Sequence, residues 1–181
     1  HMLTIVIPEK EFYMSDTNTF VTVCEHKLKL EHSLMSIYKW ESKWHKSFIN
    51  TKDKNVDETI DYIKCMTITQ NVDPLVYKCL TAENFRLIND YINDPMTATT
   101  FSDDHNQKKN RKIITAEVIY ARMLMAGIPL ECEKWHLNKL LTLLRVCESY
   151  QSPPKKMSRN EMISQRKALN AARRKKYNSK G

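Results

Sequence analysis

Apolar residues recur at steps of three and four along much of the chain, and the clearest such pattern runs from Pro129 to Tyr150. This spacing places the apolar side chains on one face of an α-helix. Gly127 before the segment and Pro153-Pro154 after it are typical of helix boundaries. We therefore predict a central core helix over residues 129–150. Its buried face is expected to carry Leu137, Leu140, Leu141, Leu144 and Cys147.

The N-terminal segment has a different period. Apolar and polar residues alternate in Leu3–Ile7 and again in Lys27–Glu31, which is typical of half-buried strands. Between them, residues 11–13 and 20–23 flank the turn-rich Ser15–Asn18, which indicates a hairpin or a long loop. We predict a small antiparallel sheet over about residues 3–31, with one face laid on helices.

Helical spacing returns after residue 32, with capping residues ahead of most segments. The predicted fold class is therefore mainly α (α+β): a helical domain with a small N-terminal antiparallel sheet and a basic C-terminal helix. The expected helices begin at Ser33 (to about Ile49), Asp57 (to about Met66), Asp73-Pro74 (to Leu80), Thr81 (ended by Asp94-Pro95) and Thr115 (to about Ala126).

The length and composition agree with one domain and a tail, which we place at residues 1–152 and 153–181. Only two glycines occur in 181 residues. This argues against glycine-rich phosphate loops and nucleotide-binding folds, which need positive φ angles or close backbone approach. The five cysteines are widely spaced, and we interpret them as reduced, buried thiols.

The net charge of +8 is concentrated at the C-terminal end. Residues 153–181 contain ten Lys or Arg residues and one acidic residue, Glu161, so this segment carries +9 and the rest about −1. Ser158 and Glu161 have the spacing of a capping box, and good helix formers follow. We predict a helix over about residues 158–176.

Residues 102–111 contain no apolar side chain, and they form either a mobile loop or a segment that orders on a partner.

We find no arrangement of residues that predicts catalysis, a metal or a cofactor. Cys132 and His136 are four apart on one predicted helix, a spacing that can hold zinc, but no second pair accompanies them. Acidic residues in the loop are expected to be solvated, and those near Asp57 to interact with a helix N-terminus. The histidines expected to be solvated are His26, His32, His45 and His105. The chain is therefore not expected to be an enzyme.

Two groups of residues are candidates for binding a partner. Trp40 and Trp44 lie one turn apart, and they are either core anchors or an exposed patch. The basic tail could contact nucleic-acid phosphates, bind an acidic protein surface or only keep the protein soluble. Its candidate residues are Arg166, Lys167, Arg173, Arg174, Lys175 and Lys176.

Several motifs together resemble a family of small proteins from tailed phages and prophages of Gram-positive bacteria. The resemblance covers nearly the whole chain, apart from the polar loop at 102–111. The motifs are Trp40-Glu41-Ser42-Lys43-Trp44, the run from Glu58 to Val72, Asp94-Pro95-Met96-Thr97-Ala98-Thr99, the run from Cys132 to Cys147, Pro153-Pro154-Lys155-Lys156-Met157-Ser158 and Ala168-Leu169-Asn170-Ala171-Ala172-Arg173-Arg174.

The resemblance implies a tail assembly chaperone that works in the host bacterial cytoplasm. Such a protein would coat the helical tape measure protein until tube subunits polymerise around it, and it could be a homo-oligomer. No catalytic residue, cofactor or membrane association comes with this assignment. Two alternatives stay open: a nucleic-acid-binding phage protein that acts through residues 155–176, and a structural virion component of the connector or tail.

Overall fold

The computed structural model describes residues 2–16, 18–101, 113–151 and 159–177, and it has the mainly helical α+β architecture that the pattern predicts. Contacts divide the chain into two units, His1–Cys147 and Glu148–Gly181, whereas the sequence analysis placed the boundary after residue 152. The elements are strands β1 (Leu3–Ile7), β2 (Lys10–Met14), β3 (Thr19–Val23) and β4 (His26–Leu30), helices α1 (Leu34–Trp44), α2 (Val56–Met66), α3 (Ala82–Asn93), α4 (Ala116–Met125), α5 (Leu137–Gln151) and α6 (Arg159–Tyr177), and two 3₁₀ helices at Pro74–Cys79 and Leu130–Lys134.

The four strands form an antiparallel ribbon in two parts. β1 pairs with β4 from Leu3↔Leu30 onward, and β2 pairs with β3 from Lys10↔Val23 onward. The paired residue numbers have the same sum in both parts, so the register does not change across the interruption. Pro8 lies in that interruption, and it has no N–H to donate to a ladder. The predicted antiparallel pairing over residues 3–31 is thus confirmed.

The inner part of the ribbon lies on the core. Alternate residues of β1 and β4 point inward, as the period of two predicts, and β1 packs against α3. The helices supply the rest of a continuous hydrophobic cluster. Its fully buried large side chains are Ile5, Ile7, Leu28, Leu30, Leu34, Ile37, Trp40, Ile63, Met66, Ile119, Met123 and Leu140.

Helix α1 begins where the sequence predicts but ends earlier. The Ser33 hydroxyl caps it by accepting the N–H of Ser36 at 3.4 Å. The predicted end near Ile49 is wrong, because His45 has a left-handed backbone (φ 52°) and donates its N–H to the Glu41 carbonyl. Phe48 still packs on Trp40, with the ring centroids 5.3 Å apart.

The N-termini of α2 and α3 are closed by reciprocal hydrogen bonds. At α2 the cap is Asn55, not the predicted Asp57: Asn55 has extended backbone angles, and its side chain accepts the N–H of Glu58 at 2.7 Å. The Glu58 carboxylate accepts the Asn55 N–H in return. At α3 the predicted cap Thr81 is confirmed, with Asn84 as its reciprocal partner.

Helix α5 is shorter than the predicted segment 129–150. Residues 130–134 form a 3₁₀ helix and Trp135 is extended, because His136 forms a β-bridge with Ser33 and the Leu137 N–H donates to the His32 carbonyl at 2.9 Å. This pairing with the end of the ribbon prevents a helix from forming before Leu137. The predicted face is confirmed: Leu137, Leu140 and Leu144 are buried, and Leu141 and Cys147 are partly buried against the same core.

In the second unit, α6 extends over nearly the predicted residues 158–176. The predicted cap at Ser158 and the polar loop at 102–111 lie outside the described residues. Within the parts of the chain that are described, no helix combines the length and the apolar character that crossing a membrane requires.

Candidate partner-binding surfaces

The two tryptophans belong to the junction between α1 and α2. Trp40 is 0% exposed, and its indole N–H donates to the Glu58 carbonyl at 2.9 Å. Trp44 is half-buried, stacks on Trp40 at 6.2 Å and donates to Asp61 Oδ2 at 2.9 Å. The core alternative is therefore confirmed for Trp40, whose buried ring cannot anchor a partner at the surface.

Ion pairs surround the accessible part of Trp44. Lys43 Nζ lies 2.6 Å from Asp61 Oδ1, and Lys46 Nζ lies 2.6 Å from Glu58 Oε1. Both ammonium groups are also within 6 Å of the Trp44 ring. The hydrogen bond from Lys46 is the main reason that the pKa of Glu58 lies below its ordinary value. Glu58 and Asp61 were expected only to interact with a helix N-terminus; they fasten α2 to α1 instead.

A third buried carboxylate, Glu41, connects α1 to the N-terminus of α4. Its two oxygens accept the backbone N–H groups of Phe48 and Ala116, each at 2.7 Å. The predicted cap Thr115 occupies the N-cap position but makes no side-chain capping bond. Glu41 lines an open cleft of about 580 Å³, and both of its oxygens are already used by the fold. The arrangement is suited to holding α4 in place.

A buried cluster of histidines and tyrosines joins β4, α2, α3 and α5. His32 Nδ1 lies 2.5 Å from Tyr62 Oη. His136 Nε2 lies 2.9 Å from the Tyr91 carbonyl, and its Nδ1 accepts the Asn138 N–H at 3.3 Å. These partners require a neutral His136 with its proton on Nε2. The cluster uses hydrogen bonds to satisfy buried polar groups.

The prediction that His32 is solvated is wrong, because the chain turns inward there between β4 and α1. Burial, together with the nearby His136 ring, lowers the pKa of His32 to about 3. Burial also lowers the pKa of His136 and raises that of Tyr62. His32 is thus neutral at physiological pH. Of the other histidines, His45 is exposed, His26 is partly exposed and His105 lies outside the described residues.

The predicted geometry for Cys132 and His136 is also wrong. Cys132 lies in the second 3₁₀ helix, and His136 lies beyond it in the bridge to Ser33. They do not share a helix face. Among the described residues, no three His, Cys, Asp or Glu side chains are grouped so that they could hold a metal ion.

Helix α4 exposes an apolar face that the sequence analysis did not identify. Ala116, Ile119 and Met123 are buried against the domain, while Val118, Ala121, Leu124 and Met125 are exposed on the opposite side. Met125 is 84% exposed. Glu117, four positions before Ala121 and seven before Leu124, is also exposed on this side of the helix. Neighbouring exposed apolar side chains are typical of binding surfaces. The signal was present as apolar residues without a clear period between Val118 and Met125. We call the exposed residues Val118, Ala121, Leu124 and Met125 the α4 face.

Two smaller features also expose aromatic side chains. An apolar cleft of about 270 Å³ lies between α2 and α3, with Phe85, 36% exposed, in its lining. On the outer part of the ribbon, Tyr13 and Phe20 form a cross-strand pair with ring centroids 5.2 Å apart. Their exposed fractions of 57% and 72% show that the pair faces solvent.

The predicted basic residues of the tail all lie on α6. Every α6 residue whose side chain is described is exposed. Met162 and Leu169 form a thin apolar stripe on this helix, and each is about half exposed. The structure thus places the six candidate basic residues on one solvent-exposed helix of 19 residues.

Comparisons of the chain with protein-family models, curated proteins and solved structures yield no match. Any functional assignment therefore depends on the motifs of the sequence and on the surfaces described above.

Proposed function

We propose that this protein is a non-enzymatic tail assembly chaperone that binds the tape measure protein of a tailed phage. The observation that carries the proposal is the set of motifs that resembles small tail-module proteins of phages and prophages. The expected site of action is the host bacterial cytoplasm, where the partner must stay soluble before tube subunits enclose it.

The motifs supply much of the buried scaffold that carries the exposed surfaces. The Trp40–Trp44 motif and the run from Glu58 supply the α1–α2 junction, and the run from Cys132 supplies the buried His136 and the leucine face. The hydrogen bonds of these residues are explained by the fold. These hydrogen bonds stabilise the scaffold, and the exposed side chains remain accessible to a partner.

The α4 face supports the choice of partner. A tape measure protein is a long helical chain, and an amphipathic helix needs an apolar surface to cover its own apolar face. The α4 face offers Met and Leu side chains, and methionine adapts to irregular partners because its side chain is unbranched and polarisable. We infer that helices of the tape measure protein dock here.

Co-expression with the tape measure protein of the same phage tests the proposal. The expected result is a soluble tape measure protein that is recovered with the chaperone in both low and high salt, because apolar contacts resist screening. A tape measure protein that stays insoluble and gives no complex would overturn the proposal. Finding the protein in purified virions would instead favour a structural virion component, since a chaperone leaves the tail before it is complete.

Point variants locate the docking surface. Leu124→Glu and Met125→Glu each place a charge on the α4 face and are expected to lower recovery of the complex at least about tenfold. Val56→Glu is the matched control, because Val56 is an apolar residue that is 72% exposed on α2. Unchanged recovery with both α4 variants would show that the docking site lies elsewhere.

Light scattering of the purified protein tests the homo-oligomer that the resemblance implies.

A further inference from the structure

The basic residues of α6 greatly outnumber the acidic residues of the same helix. The helix carries Arg159, Arg166, Lys167 and the run Arg173–Lys176, against Glu161 alone. Solvated surface helices commonly place an acidic residue three or four positions from each basic one. None of the seven basic residues of α6 has such a neighbour. Ion pairs between residues three or four positions apart therefore do not neutralise this charge.

The basic residues are arranged along the helix and around it. Arg159, Arg166 and Arg173 recur every seven residues, so they lie on one side of α6 at intervals of about 10 Å. The consecutive residues Arg173–Lys176 point to different sides, because each residue turns a helix by about 100°. A flat acidic protein surface would use only one side of such a helix. A groove with phosphates on both walls would contact basic side chains on opposite sides of the helix.

The dimensions of α6 match one kind of groove. With side chains an α-helix is about 10–12 Å wide, and the major groove of B-form DNA is about 12 Å wide. The 19 residues of α6 extend about 28 Å at roughly 1.5 Å per residue. The corresponding groove of double-stranded RNA is too deep and narrow for side chains to read.

The apolar content of α6 is low for a helix that docks on protein. Met162 and Leu169 are seven residues apart and form the stripe, while Ile163 lies on another side. Ala168, Ala171 and Ala172 have small side chains that add little to the width of the helix. Arginine, which provides four of the seven basic residues, also forms paired hydrogen bonds to phosphates and guanine edges.

We propose that α6 is a double-stranded DNA-binding helix that lies in the major groove, with Arg159, Arg166 and Arg173 contacting one strand and Lys175, on the opposite side of the helix, reaching the other wall. This inference does not depend on the tape measure protein as partner, since it concerns a different surface.

Fluorescence anisotropy of the full-length protein with a labelled 20-base-pair DNA duplex tests the inference. We expect the affinity to fall about 10³- to 10⁴-fold between 50 and 200 mM salt, because each neutralised phosphate releases bound counterions. Parallel measurements use double-stranded RNA, single-stranded DNA and a poly-glutamate peptide. Tighter binding of duplex DNA than of all three supports the proposal.

Two triple variants distinguish the contribution of Arg159, Arg166 and Arg173, the arginine stripe, from an effect of the protein's net charge on DNA binding. Arg159→Gln/Arg166→Gln/Arg173→Gln is expected to weaken DNA binding at least about tenfold. The slope of log affinity against log salt concentration should fall by the contribution of about three phosphate contacts. Lys27→Gln/Lys29→Gln/Lys39→Gln removes the same charge from exposed positions of the other unit and should change binding less than about twofold. Circular dichroism checks that both variants keep their helices.

Three results would overturn the inference: binding to no nucleic acid, equal losses in the two triple variants, or tighter binding of poly-glutamate, RNA or single strands than of duplex DNA. Poly-glutamate as the preferred ligand would identify α6 as a site for an acidic protein. The outcome is distinguishable from that of the proposed chaperone function, because the arginine-stripe variant is expected to keep its complex with the tape measure protein in high salt.

Discussion

Glu41 Oε2 accepts the backbone N–H of Ala116 at 2.7 Å, although the two residues are 75 positions apart. The other carboxylate oxygen accepts the N–H of Phe48 at the same distance. One buried side chain thus closes the C-terminal side of α1 and caps the N-terminus of α4. The α4 face is presented by a helix whose first turn depends on this carboxylate.

Replacing Glu41 by alanine is expected to destabilise the protein by about 3 kcal/mol, because two buried N–H groups lose their acceptor. Glu41→Gln should cost less, since its amide oxygen can still accept one of the two bonds. Urea unfolding followed by circular dichroism measures both. A Glu41→Ala protein within about 0.5 kcal/mol of the wild type would show that the two N–H groups find other partners.

Asp61 provides a second test, because it makes two separable interactions. Asp61→Asn keeps an oxygen that can accept the Trp44 N–H but loses the charge that pairs with Lys43. Lys43 is largely exposed, so this variant should lose less than about 1 kcal/mol. Asp61→Ala removes both interactions and should cost about 2 kcal/mol. Equal losses in the two variants, measured by chemical unfolding, would assign the stabilisation to the ion pair alone.

The features that the sequence predicts well are local ones. The caps at Ser33 and Thr81 are formed by residues three positions apart, and the leucine face of α5 follows from the helical period. Such signals need no knowledge of the rest of the fold. The position of the basic residues on α6 was predictable for the same reason.

The missed features depend on pairing between distant segments. His32 is buried only because α2, α3 and α5 meet around it, and α5 begins at Leu137 because residues near Ser33 bind the preceding backbone. The role of Glu41 depends on Ala116. The two partners of each of these contacts are too far apart in the sequence for any local pattern to include both. The α4 face was missed because apolar residues on both the buried and the exposed side of a helix leave no clear period to follow.

Two methionines of α4 test the division of that helix into a buried and an exposed side. Met123 is 0% exposed and Met125 is 84% exposed. Met123→Ala should destabilise the protein by about 3 kcal/mol through lost packing and a residual cavity, whereas Met125→Ala should change stability by less than about 0.5 kcal/mol. Thermal or urea unfolding compares the pair. Similar losses in both variants would mean that Met125 is covered in solution, for example by a second copy of the chain.

The buried His32 predicts loss of stability in acid. Its folded pKa, lowered to about 3 by burial and by His136, lies below the ordinary value of 6.5, so the unfolded chain binds a proton that the folded chain does not. The free energy of unfolding should therefore fall as pH decreases from about 6.5 toward 3, by up to about 1.4 kcal/mol per pH unit from this residue. Above pH 6.5 both states are neutral and the contribution is constant.

Unfolding of a His32→Gln variant at a series of pH values isolates this contribution. The variant is expected to be less stable than the wild type at pH 7, because it alters the hydrogen bond with Tyr62, but to lose less stability between pH 6.5 and pH 4. His45→Asn is the control: it removes an exposed histidine at a left-handed position that asparagine tolerates. If His32→Gln and the wild type lost stability in parallel over that range, the buried ring would not be the group that binds the proton on unfolding.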